Sequence, residues 1–152
     1  MQHIITPDFV ALLRDQFLLD WKGIHGVSHW ARVRRNGLLI AKDNGAETRV
    51  IEYFSFLHDS RRFGEDADPD HGKRAAEFAM SLRDSYVDLS DTSFFLLVTA
   101  CEGHTHEGCH DDVTIQACWD ADRLDLGRVG ITPDPDRMGT EKAKQLACSQ
   151  GI

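Results

Sequence analysis

The apolar run Val50-Ile51-Glu52-Tyr53-Phe54-Ser55-Phe56-Leu57 ends on two polar residues, His58 and Asp59. Burying an imidazole beside a carboxylate is unfavourable unless both have a strong partner. A divalent ion is such a partner, because it neutralises the carboxylate and takes up the imidazole lone pair. Two residues of the same chemistry flank the pair at a distance: His29 upstream and Asp122 downstream, each on its own candidate helix. Imidazole and carboxylate ligands suit a borderline or hard divalent ion such as Fe, Mn, Ni, Co or Zn. Two His and two Asp would leave positions open on an octahedral ion for water or a phosphate oxygen. Taken singly, each residue has a plainer reading, as a hydrogen-bonded core histidine or a capping aspartate.

The order His, His-Asp, Asp resembles the HD superfamily of metal-dependent phosphohydrolases. The resemblance rests on Gly26-Val27-Ser28-His29-Trp30-Ala31-Arg32-Val33, Phe56-Leu57-His58-Asp59-Ser60-Arg61-Arg62 and Asp120-Ala121-Asp122-Arg123-Leu124-Asp125, and spans about residues 25–130. It implies an all-α, compact helical bundle and a first metal held by His29, His58, Asp59 and Asp122. His71, in Asp70-His71-Gly72-Lys73, and His104, in Cys101-Glu102-Gly103-His104, resemble the further histidines of members that hold two metals. They would complete a second site bridged by Asp59, or hold phosphate and transfer protons beside a single ion; a histidine serves either role. By the same resemblance the activity is hydrolysis of a small phosphorylated compound, a nucleotide among the candidates, by metal-activated water. Asp59, His71 and His104 would act at the reaction centre, with Asp59 or His104 managing the proton. The family's Gly-Tyr-Pro extension, which marks members acting on cyclic dinucleotides, is absent. Ser60-Arg61-Arg62-Phe63 stands where alarmone hydrolases carry paired acidic residues. A minority of the superfamily uses the same ligand types for di-iron oxygenation, and a non-catalytic metal-stabilised binding protein is a third reading.

Cations near this constellation are candidates for phosphate recognition. Arg62 lies one helical turn beyond Asp59, and its planar guanidinium suits bidentate binding of phosphate. It is expected to bind substrate and stabilise developing charge. Lys73, near a helix N-terminus, is a second expected substrate contact. Arg61 reads equally well as a salt-bridging loop residue, and Arg123 as an organiser of neighbouring segments. Cys101, His104, His106 and Cys109 offer zinc-like ligands, but they crowd into one segment instead of two separated knuckles, which disfavours a structural zinc.

The chain has 152 residues, suiting one domain over residues 1–152. Hydrophobic residues make up 41%, within the globular range. The net charge of −8 makes nucleic acid polymers and anionic membranes poor general partners. A small anionic substrate remains compatible, because a local metal and arginines dominate the field of a pocket. The N-terminus has neither a basic segment nor a long apolar one, and the cysteines Cys101, Cys109, Cys118 and Cys148 form no Cys-x-x-Cys pair, so a cytoplasmic protein with reduced thiols is expected. No glycine-rich phosphate loop, nucleophile elbow or dinucleotide fingerprint is present.

Helices must position these groups. Thr6-Pro7 starts the first as N-cap and first residue. The second is expected from about Val27 to Ala41, with His29, Val33, Asn36 and Ile40 on one face. The third, about Glu47 to His58, is apolar nearly all round and therefore central. A charged loop over 59–70 leads to a fourth helix carrying the stripe His71, Ala75, Phe78, Leu82. A fifth, about Asp91 to Gly103 with Ser90 as cap, carries Phe94, Leu97, Cys101, His104. Both stripes turn their histidines inward. A short helix near Asp112 to Trp119 precedes Asp122, a loop containing Gly127, Gly130, Pro133 and Pro135 follows, and a last helix runs from about Thr140 to Cys148.

Overall fold

The computed structural model describes residues 3–151 and is all helical. Its helices are α1 (Pro7–Gln16), α2 (Val27–Ala41), α3 (Thr48–Leu57), α4 (His71–Ser81), α5 (Asp91–Gly103), α6 (Val113–Arg123) and α7 (Glu141–Gln150). Two short 3₁₀ turns, Leu126–Val129 and Pro135–Arg137, lie between α6 and α7. No helix is long and apolar enough to cross a membrane.

Local chemistry sets the helix starts. Thr6 accepts the Phe9 amide ahead of Pro7, Ser90 accepts from Ser93, Thr140 accepts from Ala143, and Asp112 accepts from Thr114 and Ile115. Asp70 precedes α4 without a side-chain capping bond. Helix α6 runs four residues beyond the expected end at Trp119, so Asp122 lies in its last turn rather than in a following loop. Its apolar pattern explains the extension, because Ala117, Cys118, Ala121 and Leu124 continue one buried stripe.

Helix α3 sits centrally, against α2, α4, α5 and α6. Val50, Ile51, Tyr53, Phe54, Phe56 and Leu57 are all buried, which answers the apolar sequence all round this helix. Helix α2 approaches α3 closely at Gly37, where an added Cβ would meet Ile51 Cγ2 at 2.3 Å. Edge-on packing of Trp30 against Phe17, Trp21 and Phe56 closes the end of the core near His29. The buried Asp120 carboxylate accepts from Gln116 Nε2, the Gly139 and Thr140 amides and Thr140 Oγ1. These bonds fasten the start of α7 to α6.

Candidate metal centre

Helix ends deliver six side chains to one place. His29 comes from the first turn of α2, and His58 and Asp59 follow the last residue of α3. His71 opens α4, His104 follows α5, and Asp122 sits in the last turn of α6. All six were candidates in the sequence, and the structure brings all six together.

His29, His58, Asp59 and Asp122 form the first group. His29 Nε2 lies 3.0 Å from His58 Nε2, 3.2 Å from Asp59 Oδ2 and 3.2 Å from Asp122 Oδ1. His58 Nε2 lies 3.4 Å from Asp122 Oδ1 and 3.7 Å from Asp59 Oδ2. Ligands about 2.1 Å from a common ion stand roughly 3.0 Å apart in octahedral geometry and 3.4 Å in tetrahedral. Four of the five separations fall in that range, and the fifth, His58 to Asp59, is slightly longer. His71, His104 and the other Asp59 oxygen form the second group. His71 Nε2 lies 2.9 Å from His104 Nε2 and 3.1 Å from Asp59 Oδ1, with His104 Nε2 3.6 Å from the same oxygen. Asp59 thus turns one oxygen to each group.

The other nitrogen of each ring fixes which lone pair points inward. His29 Nδ1 donates to Asp125 Oδ2 at 2.7 Å. His58 Nδ1 donates to the Phe54 and Ser55 carbonyls, each at 3.0 Å. His71 Nδ1 donates to the Asp68 carbonyl and His104 Nδ1 to the Cys101 carbonyl, each at 2.6 Å. All four Nε2 atoms therefore converge in pairs about 3 Å apart, an arrangement that needs a shared proton or a metal ion between them. Asp122 Oδ1 is buried among them without a hydrogen-bond donor. Orphaned acceptors, two carboxylates and four imidazoles held by outer hydrogen bonds fit a pair of divalent ions.

The carboxylates titrate accordingly. Burial would raise Asp59, but the His58 imidazole beside it and contacts with His104, His25 and His29 outweigh it and hold it well below its usual value. Burial also opposes ionisation of Asp122, and His58 and His29 overcome it. Burial disfavours a charge on His29, yet the neighbouring carboxylates of Asp122, Asp125 and Asp59 raise it from 6.5 to about 10. In the metal-free protein a proton on His29 thus takes up part of the negative field that a metal would neutralise.

A solved structure described as a predicted HD superfamily hydrolase, from an uncultured Thermotogales bacterium, matches this chain with a TM-score of 0.76. The match covers 97% of this chain and 85% of that one, at 23% sequence identity. The fold is that of an HD domain. No family model and no curated protein matches the sequence.

Within this HD fold an open cavity of about 460 Å³ exposes Asp59, Asp122, His71 and His104. Arg62, Asp68, Pro69, Thr105, His106 and Arg128 contribute to its walls. Arg62 is buried there, but not as a free bidentate group. Its Nε donates to the Gly64 carbonyl, its Nη2 to the Asp66 carbonyl, and its Nη1 lies against the His71 ring. Lys73 is a correction: it is exposed and does not line the cavity. Two residues along a helix is about 200°, so a helix that turns His71 inward turns Lys73 outward. Arg61 also points away, bonded to Gln16 and lying over Phe78. Arg123 closes the α5–α6 connection by donating to the Gly108 and Glu107 carbonyls. Cys101 is buried within α5 while Cys109 is exposed, and no metal-binding group among the described residues includes either.

Three participants went unassigned in the sequence. Asp125 orients His29 and accepts from Arg32 Nε at 2.7 Å. His25 is buried with Nδ1 3.4 Å from Asp59 Oδ2 and Nε2 3.2 Å from the Glu65 carbonyl. Arg128 comes from the first 3₁₀ turn. The sequence signal for Asp125 and His25 was proximity to ligands, in Asp122-Arg123-Leu124-Asp125 and His25-Gly26-Val27-Ser28-His29, and Arg128 had none.

Proposed function

We propose that this chain is a metal-dependent phosphohydrolase acting on a small phosphorylated compound, a nucleotide among the candidates. The observation that carries the proposal is the convergence of four Nε2 atoms on the two oxygens of one buried Asp59. His29, His58, Asp59 and Asp122 would hold one divalent ion, and Asp59, His71 and His104 a second. Bound ions of this kind supply Lewis-acid activation of water and of a phosphoryl oxygen. The residues contribute the rest. Asp59 sets the spacing of the two groups, and the outer bonds to Asp125, Asp68, Phe54, Ser55 and Cys101 turn each imidazole so that Nε2 faces the site. Arg62, pinned by the Gly64 and Asp66 carbonyls, adds a fixed positive charge to the cavity wall without ordering cost on binding. His25 is positioned to hold a proton at Nδ1 against Asp59 Oδ2. The opening above Asp59 and Asp122 admits a phosphoryl group to the carboxylates and imidazoles at once.

The test is turnover of a panel of phosphomonoesters and nucleotides by protein loaded with Mn²⁺, Co²⁺ or Ni²⁺. Hydrolysis of at least one member, lost in Asp59→Ala, is expected. A demonstrably metal-loaded protein that cleaves none would overturn the reading.

A further inference from the structure

We infer that Arg128 is the residue that grips the phosphoryl group, by two parallel hydrogen bonds from one edge of its guanidinium. The inference rests on the phosphohydrolase reading above and names the substrate contact within it.

Arginine offers its strongest grip along an edge where two N–H groups point the same way and match two oxygens of a phosphate. In Arg62 the Nε and Nη2 donors are already taken by the Gly64 and Asp66 carbonyls. Only Nη1 remains, and it lies on the His71 ring. Arg62 therefore braces the loop after Asp59 and supplies charge, but has no free pair of donors.

Arg128 is the opposite case. Its Nη1 donates to the Asp125 carbonyl at 2.8 Å, which fixes the plane of the group. Its Nε is buried and has no hydrogen-bond partner. Its Nη2 comes no closer than 3.9 Å to Asp122 Oδ1, a charge contact beyond hydrogen-bond length. Nε and Nη2 share one edge, so the bidentate edge is free among the described residues. The side chain is only 11% exposed and lines the cavity that holds Asp59 and Asp122. A buried N–H without a partner is unfavourable, and an incoming oxyanion relieves it. Asp122 Oδ1 stands nearer His29 Nε2, at 3.2 Å, and His58 Nε2, at 3.4 Å, than the arginine, and does not hydrogen-bond it. The ligand that fits is a tetrahedral oxyanion spanning the metal ligands and this edge, with one pair of oxygens on Arg128.

The experiment measures inorganic phosphate binding to the Mn²⁺-loaded full chain by calorimetry, alongside hydrolysis and metal content. The proteins compared are wild type, Arg128→Lys, Arg128→Gln and Arg35→Gln, the last a control at an exposed cation outside the site. Arg128→Lys keeps the charge and most of the length but loses the fork, so a contribution from charge is separated from one of grip. Both Arg128 variants should weaken phosphate about 10–100-fold and raise KM more than they lower kcat, with metal content unchanged and Arg35→Gln like wild type. Phosphate affinity of Arg128→Lys within about twofold of wild type, in a wild-type protein that does bind phosphate and hydrolyse esters, overturns the assignment of Arg128 alone. A metal-loaded wild type that binds no phosphate and cleaves no ester overturns the assignment together with the reading beneath it.

Discussion

Gly72→Ala should remove the second metal position and spare the first. Gly72 follows His71 at the start of α4, where α4 meets the end of α5. A Cβ placed there would stand 2.7 Å from the Cys101 carbonyl oxygen, 3.1 Å from that of Glu102 and 3.3 Å from His104 Nδ1. Ordinary contact begins near 3.4 Å, so the two helix ends must part by about 0.7 Å. Metal sites tolerate only about 0.2 Å in ligand distance. The Cys101 carbonyl is also the acceptor that fixes His104 at Nδ1. The substitution therefore disturbs both the separation of His71 from His104 and the orientation of His104. His29, His58 and Asp122 come from α2, α3 and α6, outside the clash. Crowding of this kind destabilises by about 1–3 kcal/mol, which a folded domain survives. Calorimetric titration with Mn²⁺ should show two ions per wild-type chain and one in Gly72→Ala, or a second ion bound about 10–100-fold more weakly. His71→Ala, which removes a ligand without crowding, should reproduce the loss. Two ions bound with wild-type affinity in a folded Gly72→Ala protein would refute the reasoning.

Other outcomes follow from the same geometry. The raised value of His29, about 10, means that metal binding displaces a proton below that pH, so apparent affinity should rise with pH up to about 10 and then level off; flat affinity between about pH 7 and 9 would count against it. In the metal-free protein the same group adds stability that is complete below its ordinary 6.5 and lost as pH rises through about 10, a loss that denaturant melts of the metal-loaded form should not share. Asp120→Ala strands donors from Gln116, Gly139 and Thr140 and should destabilise by about 3 kcal/mol in urea, loosening α7 before the metal centre. Lys73→Ala should leave both metal content and turnover unchanged, because the side chain faces solvent.

Periodicity carried much of the architecture. Helix α2 spans the expected residues, the caps at Thr6 and Ser90 bond as read, and His71 and His104 turn inward with their stripes. The ligand groups were legible because a buried carboxylate or imidazole interrupts an apolar pattern. Arg128, Asp125 and His25 were not, because they continue no apolar stripe of a helix. Their roles depend on where distant segments dock, as the span from Asp125 to His29 illustrates. Arg62 was legible in place but not in use, since nothing local announces that Gly64 and Asp66 carbonyls occupy its donors. Lys73 was misplaced for a simpler reason. Its place near a helix N-terminus took no account of the half-turn that separates it from His71 around the helix.

Anomalous diffraction from crystals of the Mn²⁺-loaded protein tests the central claim most directly. The account requires two peaks about 3.5–4 Å apart on either side of Asp59. One should lie within roughly 2.0–2.6 Å of His29 Nε2, His58 Nε2, Asp59 Oδ2 and Asp122 Oδ1, and the other at the same range from His71 Nε2, His104 Nε2 and Asp59 Oδ1. A map with no peak among these six residues, or with manganese bound elsewhere in the chain, would contradict it.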